Sequence, residues 1–192
     1  MPLTFFKAQA TGKGSLGSIR FTSKDQSFFV EIVKQTSWNP EKKIGSFIGG
    51  AKICTKLSMN EVGGMLLAVK NKSDYKTIHK TNERTLQIGF TPYHVDNKET
   101  GEKQVYKGFG LSLFVNKDES YRIGFSPGEL EILTRYLGFG LDHCFSAIYA
   151  EDKRKSEEYF KAKSDGKGVK ESVVNQDDSS HSSGNETATE DF

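Results

Sequence analysis

The chain has 192 residues, a formal net charge of +2 and 11% aromatic content, enough for one packed domain and a tail. No run approaches the ~20 apolar residues needed to span a bilayer, and no apolar signal-peptide core precedes a small-residue cleavage site. Two cysteines, Cys54 and Cys144, are too few for a disulfide framework or a zinc site and suit a reducing compartment.

The net charge hides an asymmetry. Residues 164–192 hold two lysines against seven acids, a balance of −5, which leaves 25 basic and 18 acidic side chains, or +7, in residues 1–163. A basic body with an acidic tail points to a polyanionic partner and a tail that competes with it. A charge of +7 is also ordinary for solubility.

Residues 1–18 carry Lys7, Gly12, Lys13, Gly14 and Gly17 around the apolar anchors Leu3, Phe5 and Phe6, and read as an arm or a first strand. Residues 19–22 and 27–35 read as strands joined by a polar turn, with Phe28, Val30 and Ile32 on one face and Phe29, Glu31 and Val33 on the other. Trp38-Asn39-Pro40-Glu41 signals a turn, and residues 44–57 return as strand around Gly49-Gly50. Within it Ile53, Thr55 and Leu57 alternate with Lys52, Cys54 and Lys56. Then the period changes. Ser58 with Glu61 three residues later forms a capping box, and Val62, Met65, Leu66 and Val69 recur at helical spacing.

Residues 71–84 are polar and read as a loop. Leu86, Ile88 and Phe90 alternate as a strand, residues 96–102 read as a hairpin loop, and residues 105–115 read as a long strand containing Gly108 and Gly110. Residues 121–125 lead into a second helix, where Ser126 caps, Pro127 takes the first position, Glu129 closes the box and Leu130, Leu133 and Leu137 form the stripe. This junction repeats the first one 68 positions later without a gap: Leu57 matches Phe125, Ser58 matches Ser126 and Glu61 matches Glu129. The chain therefore reads as a tandem ββββα repeat. Strand runs closed by single helices imply an α+β fold, two antiparallel sheets with helices packed on one side. Gly138-Phe139-Gly140 is expected to break or kink the second helix before Leu141, Phe145, Ile148 and Tyr149 resume it to about residue 160. Phe139, Leu141, Phe145 and Tyr149 suit either a subunit interface or a third helix packed on its own domain. The organisation is thus an arm or first strand at 1–18, a domain at 19–163 with halves near 19–71 and 84–150, and a disordered acidic tail at 164–192.

The stretch LSMNEVGGMLLAVKN at residues 57–71 resembles the strand-to-helix junction of the Whirly single-stranded-DNA-binding proteins. The second junction sits where a Whirly domain has its second helix. Residues 36–41, TSWNPE, resemble the Trp-containing turn of the transcriptional positive cofactor four fold, a single ββββα unit that dimerises. The resemblance covers roughly residues 10–150. It implies blade-like sheets, helices in a central oligomeric core, four-fold or dimeric assembly, and single-stranded DNA bound along the sheets without marked sequence preference.

Such binding needs aromatic rings for bases to stack on and cations for the phosphates. Trp38, Phe47, Tyr93, Tyr106 and Phe109 lie among Lys13, Lys42, Lys43, Lys52, Lys56 and Lys107 and are the candidate nucleic-acid contacts, whereas Phe28, Phe90, Phe114 and Phe125 fit the core face. The tail resembles those of bacterial and phage single-stranded-DNA-binding proteins. Asp177, Asp178, Glu190, Asp191 and the terminal Phe192 would dock in basic apolar pockets of replication, recombination or repair proteins. A solubilising acidic tail is the plainer reading. Together these features imply a bacterial or phage protein of the cytoplasm, nucleoid-associated, coating single-stranded DNA. RNA binding or a transcriptional coactivator role on the same fold is the alternative. His79, His94, His143 and His181 have no metal-ligand spacing, and Lys107-Gly108-Phe109-Gly110 is followed by no helix. Neither an enzyme nor a cofactor is expected.

Overall fold

A computed structural model describes residues 2–22, 26–95, 105–116 and 119–164. Strands β1 (Leu3–Lys7), β2 (Ser15–Thr22), β3 (Ser27–Lys34) and β6 (Lys52–Leu57) form one antiparallel sheet in that order, with the hairpin β4 (Ser37–Asn39) and β5 (Ile44–Ser46) inserted before β6. Strands β7 (Tyr75–Lys80), β8 (Thr85–Val95), β9 (Val105–Val115) and β10 (Glu119–Phe125) form the second sheet with the same order of neighbours. The two sheets share a register as well as an order. Phe28 stands opposite Leu57 as Phe109 stands opposite Phe125, and Ile32 opposite Ile53 as Leu113 opposite Tyr121. The α+β architecture is therefore the tandem repeat expected.

Residues 1–18 supply β1 and the first half of β2, so the first sheet begins at Leu3. The segment at 71–84, expected to be a loop, contains β7 and completes the second set of four strands. Its core side carries Tyr75, Thr77 and His79, half-buried, against exposed Lys76, Ile78 and Lys80. Two of the inward residues are polar and one outward residue is apolar, which conceals the alternation. The hairpin expected at 96–102 lies outside the described residues.

Helix α1 (Met59–Asn71) leaves the first sheet but packs mainly on β7 and β8 of the second. A Cβ on its Gly64 would stand 2.3 Å from the Tyr75 ring, so the bare glycine lets helix and strand approach. Helix α2 (Pro127–Ser164) leaves the second sheet and packs back on the first. The Tyr136 hydroxyl accepts from the Phe21 N–H at 3.1 Å, and a Cβ on Gly140 would meet the Phe28 ring at 2.4 Å. The expected break at residues 138–140 is absent: the helix runs on through them. Gly140 is used for close approach to the sheet rather than for ending the helix. Within Met1–Ala150 the two halves thus clasp one another, each helix lying on the other half's sheet.

The capping boxes form a second clasp. Ser58 N–H donates to Glu61 Oε2 at 2.7 Å, and Glu61 Oε1 meets His79 Nε2 at 2.5 Å. In α2, Ser126 N–H donates to Glu129 Oε2 at 2.8 Å, and the same carboxylate is paired with Lys7. His79 and Lys7 each occupy the fifth position of the first strand of the opposite sheet. Burial raises the Glu61 pKa, but Ser58 and His79 outweigh it and hold the carboxyl below its ordinary value. For Glu129 the same opposition of burial against Lys7 and Ser126 ends with the pKa lowered.

The core is one cluster between the inner faces and the helices, with Phe28, Ile32, Phe90, Phe109, Leu113, Phe125, Met65 and Leu133 shielded from solvent. Gly17 admits the second sheet: a Cβ there would fall 2.6 Å from Ile123 Cδ1. Phe5 and Phe125 meet edge to face at 5.0 Å across the same seam. Residues Glu151–Phe192 form a second unit. Its described part is the end of α2, with i,i+4 pairs Arg154–Glu158 and Lys155–Glu151.

Candidate nucleic-acid interface

With the inner faces and helices enclosing the core, each sheet is left with one open face. On the first sheet the cross-strand register sets three rows there. Phe6, Leu16, Val33 and Lys52 make one; Thr4, Ser18, Glu31 and Cys54 the next; Arg20, Phe29 and Lys56 the third. The Arg20 guanidinium stands 5.5 Å from the centre of the Phe29 ring, and Phe47 meets Phe6 edge-on at 6.3 Å. Aromatic platforms flanked by cations are thus present on a solvated sheet. Cys54 adds no charge, because burial and then Glu31 push its thiol above the ordinary value.

The second sheet builds a similar face by different means. Arg122 lies 5.0 Å from the Phe114 ring centre, and Gly89, Gly110 and Gly124 leave the strands bare beside Ser112. Tyr93, 37% exposed, lies along Gly124, its ring 3.6 Å from where a Cβ would be. Its neighbour Lys107 is exposed at a register shift opposite Tyr93 and His94.

Between the two sheets Lys13, Lys34 and Arg122 border a concavity of about 590 Å³ with Tyr121 in its wall. Lys34 Nζ stands 4.3 Å from the Tyr121 ring centre and 3.5 Å from Glu119 Oε1. That oxygen also accepts from the Tyr121 hydroxyl at 2.5 Å, which pushes the phenol up to about 12. Lys13 owes its position to Gln35, a buried amide at the end of β3. Its Oε1 accepts from Gln9 N–H at 2.8 Å and Gly14 N–H at 3.1 Å, and its Nε2 donates to Gln9 and Ser37 carbonyls at 3.0 and 2.8 Å. One side chain therefore fastens the Lys13 turn to the Trp38 hairpin. In that hairpin Trp38, half-buried and opposite Gly45, borders a concavity of about 560 Å³ together with Pro40, Lys42 and Ile44. Lys43 is exposed on the same turn with φ 53°.

The expected contacts divide accordingly. Lys52 and Lys56 lie on the open face of the first sheet, with Phe47 at its rim. Trp38, Lys42 and Lys43 stand on the inserted hairpin, Lys13 at the seam, and Tyr93 and Lys107 on the second sheet. Phe109 is a correction: it is fully buried, 4.8 Å from Phe90, and offers no ring to solvent. Tyr106 packs at the core edge, with Lys72 Nζ 5.4 Å from its ring centre, rather than on the open face. Phe114 is the converse correction, an aromatic assigned to the core that stands outside with Arg122. Phe6, Arg20 and Phe29 were also not among the candidates. Phe29 alternates with Phe28 in sequence, so its outward face was legible; Arg20 beside it required the β2–β3 register. The tail residues Asp177, Asp178, Glu190, Asp191 and Phe192 lie outside the described residues.

Two interlocked ββββα halves with open, cation-flanked aromatic faces define a Whirly-like α+β fold. The structure is similar to the crystal structure of WHY3 from Arabidopsis thaliana, with a TM-score of 0.54 at 13% identity over 81% of this chain and 96% of that one. It is likewise similar to WHY1 from Arabidopsis thaliana, with a TM-score of 0.52 at 15% identity over 75% and 90% of the two chains. No protein-family model and no curated protein sequence matches the chain. Among the described residues no helix is long and apolar enough to cross a membrane.

Proposed function

We propose that this protein binds single-stranded DNA along its open sheet faces, coating or protecting it in replication, recombination or repair. The observation that carries the reading is the pair of Arg–Phe platforms, Arg20–Phe29 and Arg122–Phe114, on the solvated faces of a Whirly-like fold. Unpaired bases expose π-faces that stack on such rings, and flanking cations follow the phosphates without reading sequence. A duplex, whose bases are already stacked, gains only the phosphate part of this.

The role carries the rest of the sequence reading with it. Copies of the chain assemble through the exposed apolar side chains of α2, Ile132, Phe139, Phe145 and Tyr149, as a tetramer or a dimer. The acidic tail recruits replication or recombination proteins through Phe192 and its neighbouring carboxylates, in a bacterial or phage setting. The chemistry is binding rather than catalysis.

A fluorescence titration of the full chain with oligo-dT, repeated with RNA and duplex competitors, tests the core of the proposal. Binding that weakens with salt and resists duplex competitor supports it. Preference for RNA would move the function to the alternative on the same faces. No binding at low salt would overturn it.

A further inference from the structure

Glu31 sits where a non-specific single-strand binder gains nothing from it. Among the described residues it is the one acid on the open face of the first sheet, in the inner strand β3 between the Phe6 row and the Arg20–Phe29 row. A carboxylate there repels every phosphate that approaches the surrounding cations. Its partner Lys52 is 3.9 Å away and 68% exposed, a loose contact that leaves the acceptor oxygens accessible. The carboxylate also lines a concavity of about 260 Å³ on this face, with Ser18, Cys54 and the Arg20–Phe29 platform.

Resting on the single-stranded-DNA reading above, we infer that this concavity is a base-reading subsite that selects guanine. A base stacked on Phe29 and Arg20 brings its pairing edge over the neighbouring row, where Ser18, Glu31 and Cys54 stand side by side across three strands. An ionised carboxylate only accepts, and it accepts best from two adjacent N–H groups. Guanine alone presents such a pair, N1–H beside the N2 amine. Thymine offers one N–H between two carbonyls, and cytosine and adenine each set an amine beside a bare ring nitrogen that the carboxylate repels. Cys54, a neutral thiol, closes the concavity without adding charge. The strand as a whole is still held without marked sequence preference, because among the described residues no carboxylate stands opposite Arg122 or Phe114 in the β8–β10 register; the selection acts on the one nucleotide at this subsite.

The test is fluorescence anisotropy with a short labelled dT oligonucleotide and three versions carrying one central dG, dA or dC, on the full chain and on Glu31→Gln. The dG oligonucleotide is expected to bind about tenfold more tightly than the others. Glu31→Gln should remove that advantage while leaving dT affinity equal or higher, since a repulsive charge is lost. Equal affinity of the wild type for all four would overturn the subsite, as would a Glu31→Gln variant that strengthens all four alike and keeps their ratios. Failure of the wild type to bind even the dT oligonucleotide would instead overturn the single-stranded-DNA reading on which the subsite rests.

Discussion

Phe109 and Phe29 are both strand phenylalanines, and they do opposite work. Phe109 is sealed between Phe90 and Phe125, so Phe109→Ala should lower stability by about 3–5 kcal/mol, read as an earlier midpoint in urea unfolding. Phe29 packs against Arg20 on the open face, so Phe29→Ala should leave the midpoint nearly unchanged. It should weaken oligo-dT binding by about 1–3 kcal/mol through loss of one stacking platform. A Phe109→Ala protein of undiminished stability with weakened DNA binding would reverse the assignment of faces. Gln35 matters at the same scale. Gln35→Leu strands the Gln9 and Gly14 N–H groups, each worth about 1–3 kcal/mol when left unpaired. It should also loosen the Lys13 turn from the hairpin. Trp38 is the only tryptophan, so its intrinsic emission reports the loosening directly; an unshifted spectrum with unchanged melting would refute the fastening role.

Among the elements, the helix N-termini are where the halves are tied. Each box carboxylate serves its own helix and a side chain from the opposite sheet, His79 for Glu61 and Lys7 for Glu129, so removing either affects both. Glu61 and Glu129 have folded pKa values below their ordinary ones. Protons therefore bind the unfolded chain more readily, and the stability these groups contribute is present above the unfolded pKa and lost as pH falls through the folded one. Unfolding midpoints should hold near neutrality and drop below pH ~4, the usual glutamate range. The double variant Glu61→Gln, Glu129→Gln should be less stable at neutral pH and show a flatter acid limb. An acid limb unchanged in the double variant would place the titration elsewhere.

For the whole molecule, charge and exposed apolar surface set what assembles on what. Light scattering at micromolar concentration should give a mass at a multiple of the 21.4 kDa chain, and Phe139→Asp with Tyr149→Asp should return it to one chain, because buried carboxylates at a subunit contact are strongly disfavoured. A monomeric wild type would defeat the assembly. Residues 172–192 contain no Lys or Arg and five carboxylates. Their attraction to the basic faces is screened over about 8 Å at physiological salt, so the tail should act as a brake and not a lock. Deleting 172–192 should raise DNA affinity, most visibly at low salt, and abolish partner recruitment, while replacing Phe192 alone should cost only the partner. A truncation neutral in both assays would make the tail a solubiliser.

The local code was sufficient for what depends on neighbours in sequence. The capping boxes at Ser58 and Ser126, the alternation in β3 and β6, and the 68-residue repeat all follow from hydrogen-bond reach and side-chain period, which no distant contact alters. Those signals already required two similar halves and an α+β fold. Tertiary structure decided everything that turns on which surface meets which. β7 was concealed because two of its inward positions are the polar Thr77 and His79, and His79 finds its partner Glu61 only in the folded chain. Gly140 read as a helix breaker because its missing Cβ has meaning only against the Phe28 ring. Phe109 and Phe114 lie on opposite faces of one long strand with aromatic residues on both sides. There the β9–β10 register, set by packing of the sheet over the core, determines which ring is buried and which is left to meet a base.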